Sequence, residues 1–439
     1  MNRPVTFGGA SPSIVTRAVA ALSVLLAAAV PLAVGAQDQG VRIGLTYTAG
    51  TRPGVYILPM RGPLGDSVRA IIARDLDFGD RVAVVAPDSG APVTGTLNYP
   101  LYARLGAAAI IRLDQPMGGG ISAEVHEVGA SRVLRKLEPR IAAEPFSAEW
   151  RMALHRLSDD IEELVTGVRG IAATRILFNR DGTIWQVDSD GANARALPGV
   201  GPAISPEWHP STRMIAYQQW ADDGSHVVVR DLRTGQARRV SFALGTNITP
   251  AFSPDGKDLV FAYGSDATDL WKVRLEGREG PVRITVGRGS ENVQPSYAPD
   301  GRRIAFATGR LGRPEIYIMD ADGADPQWLT TTGFGDQSYR ADPAWSPDGR
   351  SVAFQTQIEG RFQVATINLR DRSVKQHTIE GVNEQPSWAP DGRHLVFTSN
   401  RGGSRQLWVL DTESGRMRQL TAGAAARMGA WSPRMVGTP

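Results

Sequence analysis

Pro343-Ala344-Trp345-Ser346-Pro347-Asp348-Gly349 is one copy of a motif that recurs through the C-terminal two-thirds of this 439-residue chain. Pro250-Ala251-Phe252-Ser253-Pro254-Asp255-Gly256, Pro295-Ser296-Tyr297-Ala298-Pro299-Asp300-Gly301 and Pro386-Ser387-Trp388-Ala389-Pro390-Asp391-Gly392 repeat it. Pro206-Glu207-Trp208-His209-Pro210 opens the series, and Gly429-Ala430-Trp431-Ser432-Pro433 ends it in shortened form. The aromatic positions are 44, 45, 48, 43 and 43 residues apart. A fixed period in the forties, built of strand-like runs, is the signature of a β-propeller with one four-stranded blade per repeat.

Each copy carries the chemistry of a blade. In Pro347-Asp348-Gly349, proline presets φ, aspartate can bond its own backbone and glycine takes a positive φ, which makes a tight turn. Ser351-Val352-Ala353-Phe354 behind it reads as a strand, like Ile304-Ala305-Phe306 and Leu395-Val396-Phe397. Ile316-Tyr317-Ile318-Met319 and Gln327-Trp328-Leu329-Thr330 supply third and fourth strands around an Asp-Gly turn. First strands fall near residues 206, 250, 295, 343, 386 and 430, second strands near 176, 215, 259, 304, 352 and 395. The last first strand has no blade after it, and Ile176-Leu177-Phe178 has no first strand before it. Those halves should pair, closing a six-bladed ring with the strand of Trp431.

The residue between proline and aromatic is small in five copies, as expected where inner strands converge, and is Glu207 in the first. Glu207 is expected to pair with an arginine. One aromatic per blade at a constant register is expected to pack between neighbouring sheets, not to form a base-stacking platform.

The chain has 48 Lys+Arg, 45 Asp+Glu, six histidines and no cysteine. The missing cysteine excludes disulfides, thiolate-held metals and thiol catalysis. A basic start with Arg3 and Arg17, an apolar run from Ala18 to Val34 and small residues ending at Ala36 describe a secretory signal peptide, with cleavage expected after Ala36. Its removal takes the net charge from +3 to +1, since both arginines leave with it. A near-neutral mature chain lacks the footprint of a nucleic-acid binder. No later segment is apolar enough to span a bilayer, and a soluble monomer is expected.

Residues 37–170 follow a different pattern. Val55–Leu58, Val82–Val85 and Ala109–Ile111 read as strands, while Val68, Ile71, Ile72 and Leu76 mark one helix face. Trp150, Leu154, Leu157, Ile161 and Leu164 mark another, capped by Ser147, with Asp159, Asp160, Glu162 and Glu163 expected to face outward. The fold class is therefore an α/β N-terminal domain followed by an all-β six-bladed propeller over residues 171–439.

In this order of parts the chain resembles the TolB family, the periplasmic component of the Tol–Pal system. The resemblance rests on Val41-Arg42-Ile43 with Arg52-Pro53-Gly54-Val55, on Leu105-Gly106-Ala107, on Leu164–Gly170 with Thr174-Arg175-Ile176, and on the closing Ala430-Trp431-Ser432-Pro433. It implies a periplasmic, non-catalytic scaffold without a cofactor. Its propeller would bind Pal, a peptidoglycan-associated lipoprotein, and its mature N-terminus the inner-membrane protein TolA, in support of outer-membrane integrity and division. By alignment to the family motif, the Pal-facing loops map to Thr246, Asn247 and Thr249, to Asn292, Val293 and Gln294, and to Asn383, Glu384 and Gln385, with the loop Gly335–Asp342 at the same rim. The TolA-engaging stretch maps to Val41–Gly50, with Val41, Arg42, Ile43, Leu45 and Tyr47.

The residues leave other readings open. Another exported propeller adaptor, binding peptides or glycans, would fit a rim of Asn, Gln and Thr. A propeller lyase or hydrolase would need a site. The sequence has no Gly-x-Ser-x-Gly, no His-Glu-x-x-His and no phosphate-binding glycine loop. His209 and His394, both in first-to-second strand turns, are the candidate metal ligands of that reading. Asp188-Ser189-Asp190-Gly191 and Asp320-Ala321-Asp322-Gly323 look like half a calcium loop but are expected to be turns.

Overall fold

The computed structural model describes residues 52–435, apart from 86–94, 117–119, 243–244, 266, 278, 286–290 and 331–338. The signal segment and the tail residues Val41, Arg42, Ile43, Leu45 and Tyr47 lie outside the described residues, as does the first half of the loop 335–342. Among the described residues no helix is long and apolar enough to cross a membrane.

The N-terminal part is a five-stranded sheet with helices on both faces. Its strands are β1 (Gly54–Ile57), β2 (Ala83–Val85), β3 (Ala107–Asp114), β4 (Ser122–Glu127) and β5 (Arg132–Leu137), in the order β2-β1-β3-β4-β5. β1 pairs in parallel with β2 and β3, while β3, β4 and β5 run antiparallel. Helices α1 (Gly65–Phe78) and α3 (Ala148–Thr166) cover one face, where Ile57, Ile72, Leu76, Ile111, Leu154 and Ile161 are completely buried. Burying each such side chain stabilises by about 1.5–3 kcal/mol. The short helix α2 (Tyr99–Arg104) closes the other face through Tyr102 against Leu58 and Ile110. α3 starts where Ser147 Oγ accepts from Trp150 N (3.1 Å) and ends at Gly167 with φ 76°.

The propeller begins with the strand Arg175–Arg180 and consists of six four-stranded sheets. The first blade contains Ala426–Trp431, Arg175–Arg180, Thr183–Asp188 and Arg195–Ala196, so the C-terminal strand closes the ring. The second to sixth blades open with Ala203–Trp208, Thr246–Phe252, Asn292–Tyr297, Arg340–Trp345 and Asn383–Trp388. The motif aromatics sew neighbouring sheets together. Trp208 Nε1 donates to Ala430 O of the first blade (3.1 Å), and Trp388 Nε1 to Ala344 O of the fifth (3.0 Å).

Two of the acids expected to face solvent do not. Asp159 and Glu162 on α3 are buried against the linker and the propeller. Asp159 accepts from Ala172 N (2.7 Å) and Ala173 N (3.0 Å), tying α3 to the strand that enters the ring. Glu162 lies 3.6 Å from Arg81, which itself reaches Asp391 of the sixth blade at 3.0 Å. Close backbone approach makes room for these carboxylates. A Cβ on Gly79 would stand 2.4 Å from Glu162 Oε2, and one on Gly170 2.5 Å from Asp159 Oδ1. Burial is the dominant effect on both acids, raising Asp159 to about 7 and Glu162 to about 8.

Candidate functional site: the channel mouth and rim

Each inner strand breaks its ladder once. The register shifts in all six, and the residue at the break takes a left-handed conformation: Ser205, Thr249, Gln294, Asp342, Gln385 and Met428, with φ between 48° and 57°. Five of the six precede the motif proline. A non-glycine residue in this region costs on the order of 1–3 kcal/mol, and a bulge re-aims its side chain. Hydrogen bonds between blades offset that cost. Gln294 N donates to Thr249 Oγ1 (3.1 Å), Asp342 N to Gln294 Oε1 (3.0 Å) and Met428 N to Gln385 Oε1 (3.2 Å). The bulge residues thus ring the axis and are bonded neighbour to neighbour in two arcs, Thr249–Gln294–Asp342 and Gln385–Met428.

Inside that ring runs a channel of about 380 Å³, lined by the motif residues of five blades and the closing strand. Its walls are mostly proline, small residues and aromatic edges, with two carboxylates, Glu207 and Asp342. The expected arginine partner of Glu207 is not there: its side chain has no hydrogen bond or ion pair among the described residues. Burial alone holds its carboxyl up at about 8. Burial, reinforced by Glu384, raises Asp342 to about 7.

The rim residues expected from the sequence divide into two groups. Thr246 is exposed, and Thr249, Val293, Gln294, Glu384 and Gln385 are partly buried around the mouth. Asn247, Asn292 and Asn383 are completely buried. Asn247 Nδ2 donates to Ser225 O (2.8 Å). Asn292 donates to Asp269 Oδ1 (3.0 Å) and accepts from Arg310 (3.2 Å), while Asn383 donates to Gln363 Oε1 (2.9 Å) and accepts from Arg401 (3.0 Å). All three hold the rim in shape from beneath. Arg310 and Arg401 are in turn stacked on Tyr317 and Trp408, at 4.7 and 5.1 Å from the ring centres.

Sequence reasoning missed an apolar component of the same rim. Trp220, Leu311 and Tyr339 are 44%, 56% and 38% exposed. Trp220 N bonds Pro202 O beside the entry to the second blade, and Arg340 N bonds Pro314 O beside the entry to the fifth. The signal was a large apolar residue next to a hairpin or strand entry, which the strand count ignores.

His209 and His394 do not come together as a metal pocket. His209 Nε2 reaches Gly256 O (3.0 Å) between the second and third blades, whereas His394 belongs to the sixth blade and faces the α/β part. The two Asp-Gly turns make turn bonds, Ala192 N to Asp190 Oδ1 and Ala324 N to Asp322 Oδ1, each 3.0 Å.

The family model for the TolB beta propeller domain matches residues 162–435, more than half of the chain. The chain belongs to the TolB family. The Tol-Pal system protein TolB of Chromobacterium violaceum is 29% identical over 228 residues, 49% of this chain and 53% of that protein. Its counterpart from Methylococcus capsulatus is 32% identical over 209 residues, covering 44% and 49% of the two chains. Each match thus spans about half the length of the curated relative. The crystal structure of TolB from Acinetobacter baumannii superimposes with a TM-score of 0.75 at 24% identity, over 87% of this chain and 97% of that one, and shows the shared fold.

Proposed function

We propose that this protein is a non-catalytic periplasmic scaffold of a Tol–Pal-type envelope system. In this reading residues 1–36 are a cleaved signal, 37–170 the α/β domain and 171–439 the propeller. The propeller rim takes a Pal-like peptidoglycan-associated lipoprotein, and the mature N-terminus, with Val41, Arg42, Ile43, Leu45 and Tyr47, takes a TolA-like inner-membrane protein. Membership of the TolB family across the whole propeller carries the reading. The geometry supports it: the α/β part docks on the turn face of the ring through Asp391 and Asp190, and among the described residues the opposite mouth is left open. There Thr246, Val293, Gln294, Glu384 and Gln385 surround the channel, with Trp220, Leu311 and Tyr339 as apolar anchors. Exposed aromatic and aliphatic anchors inside a polar ring are the usual composition of a binding hot spot.

The test is titration of the chain with the soluble part of a peptidoglycan-associated lipoprotein from the same cells. Replacing Leu311 and Tyr339 together by alanine is expected to weaken binding at least tenfold while leaving the melting transition in place. Full affinity in that double variant would remove the rim from the interface. A tail deletion over residues 37–50 should spare this binding and abolish capture by TolA.

A further inference from the structure

Where the α/β part meets the propeller, two histidines are completely buried and neither serves the rim. His394 opens the second strand of the sixth blade (His394–Ser399). Its Nδ1 lies 2.8 Å from Asp391 Oδ2 of the same blade, and its Nε2 lies 3.3 Å from Asp80 Oδ2 in the loop between α1 and β2. His155 sits on α3 with Nδ1 2.8 Å from Asp75 Oδ2 on α1. Asp190 of the first blade joins them, the three residues bringing ligand atoms within 4.8 Å of one another. His394 thus stands hydrogen-bonded between a carboxylate of the α/β part and one of the propeller, while His155 bonds Asp75 of the α/β part with Asp190 of the propeller close by. Only the imidazolium has a proton on both ring nitrogens and can face two carboxylates at once.

We propose that His394 and His155 form a proton-operated latch, in which two imidazoliums hold the α/β part against the propeller and their deprotonation loosens that contact.

The surrounding charges favour a proton over a metal ion. Around His394 stand Asp391, Asp80, Asp411 and Glu162, but also Arg81 on Asp391 (3.0 Å), Arg416 on Asp80 (2.9 Å) and Arg393 on Asp411 (2.6 Å). Around His155 stand Asp75, Asp188 and Asp190, with Arg151 and Arg74 on Asp190, Ser158 on Asp75 and the buried guanidinium of Arg418 nearby. A divalent cation would sit among guanidiniums that already neutralise these carboxylates. A proton adds one charge where one is missing, and His155 Nε2, Asp75 Oδ1 and Glu162 Oε1 are among the buried atoms still without a hydrogen-bond partner.

Burial pulls His394 down, but the hydrogen bonds to Asp391 and Asp80 and the field of Asp411 outweigh it and raise the group to about 8. The same balance, with Asp75 and Asp190 as the raising charges, moves His155 upward. A raised histidine contributes in full below its ordinary value of 6.5 and loses that contribution as pH climbs through about 8. Glu162, held up by burial at about 8, acts in the same direction, because the docked form keeps a proton that the released form gives up above 4.5. Asp391, pushed below the usual carboxylate range against its own burial, sets the acid limit.

The experiment is native-state hydrogen exchange on the whole chain between pH 6 and 9, corrected for intrinsic base catalysis. Protection in segments 75–81 and 411–418 is expected to fall at least about 30-fold over that range, the factor that corresponds to the shift of His394 alone, with His155 and Glu162 adding to it. Protection in the fourth blade should stay level. His394→Gln should already be low at pH 6 and show a clearly smaller fall thereafter, the remainder coming from His155 and Glu162, while Glu162→Gln should keep the His394 share of the fall. Flat protection in the unmodified chain, or an undiminished fall in His394→Gln, would overturn the latch, as would its loss in Glu162→Gln alone. If His394→Gln loses fourth-blade protection and so fails to fold, His155→Gln carries the same comparison with the same two outcomes.

Discussion

Trp345 shows what a single motif position contributes. It is 6% exposed, packs with Val352 and Phe354 of its own blade and Ala305 of the fourth, and has the Arg303 guanidinium 5.1 Å from its ring centre. Its indole nitrogen has no acceptor, so truncation removes packing and little else. Trp345→Ala is expected to destabilise the fold by about 3–5 kcal/mol, read as a shift in the denaturant midpoint; an unchanged midpoint would contradict the packing role. The aromatic register was legible because it repeats. Asp159 and Glu162 were not, since an acid among apolar helix positions reads as a solvent face. The groups that bury them, Ala172, Ala173 and Arg81, are identified only by the folded chain. Glu207 failed differently: the sequence marked it as exceptional and supplied a partner, but the channel offers none.

At the scale of elements, local chemistry and tertiary context divide the credit. The apolar face and the start of α3 were legible, with five apolar positions on one face and a serine before it. Ser147→Ala removes the acceptor for Trp150 N and should cost about 1 kcal/mol, measurable by thermal melting. Ser147→Asp should restore most of it, and equal stability in all three proteins would show that the cap is idle. The antiparallel strands β4 and β5 and the six-residue helix α2 escaped sequence reading. β5 is an edge strand with mostly exposed side chains, so it lacks the apolar alternation that marks a half-buried strand. α2 is too short for a helical period and depends on the Asn98 cap and on Tyr102 packing against β3. The bulges of the inner strands were hinted at by the proline of the motif, because proline within a sheet belongs to edges and bulges.

For the molecule as a whole, closure dominates. Ala430 and Trp431 pair with Leu177 and Ile176, residues at the opposite end of the ring's sequence. Trp431 Nε1 also donates to Thr174 Oγ1 at 2.8 Å, and Ser432 Oγ accepts from Arg175 N at 2.9 Å. Ending the chain at Ala425 would strip the strand Arg175–Arg180 of its inner partner and leave a long apolar edge. Such a protein is expected to elute as oligomers and to melt well below the full chain. A monomeric profile with unchanged melting would mean that the ring does not need its closing strand. This closure was readable from the strand count alone, since an unpaired half at each end admits one solution.

The same pairing sets a schedule. A ring whose first and last strands share one sheet cannot be completed before its closing strand has been delivered, whatever the order in which the inner blades form. Until residue 431 is available, the first blade exists only as a three-stranded remnant. The finished shape is therefore decided only once that closing strand has been delivered. Anything that must act on the open form, whether a folding helper or a protease, has that interval in which to act and no longer.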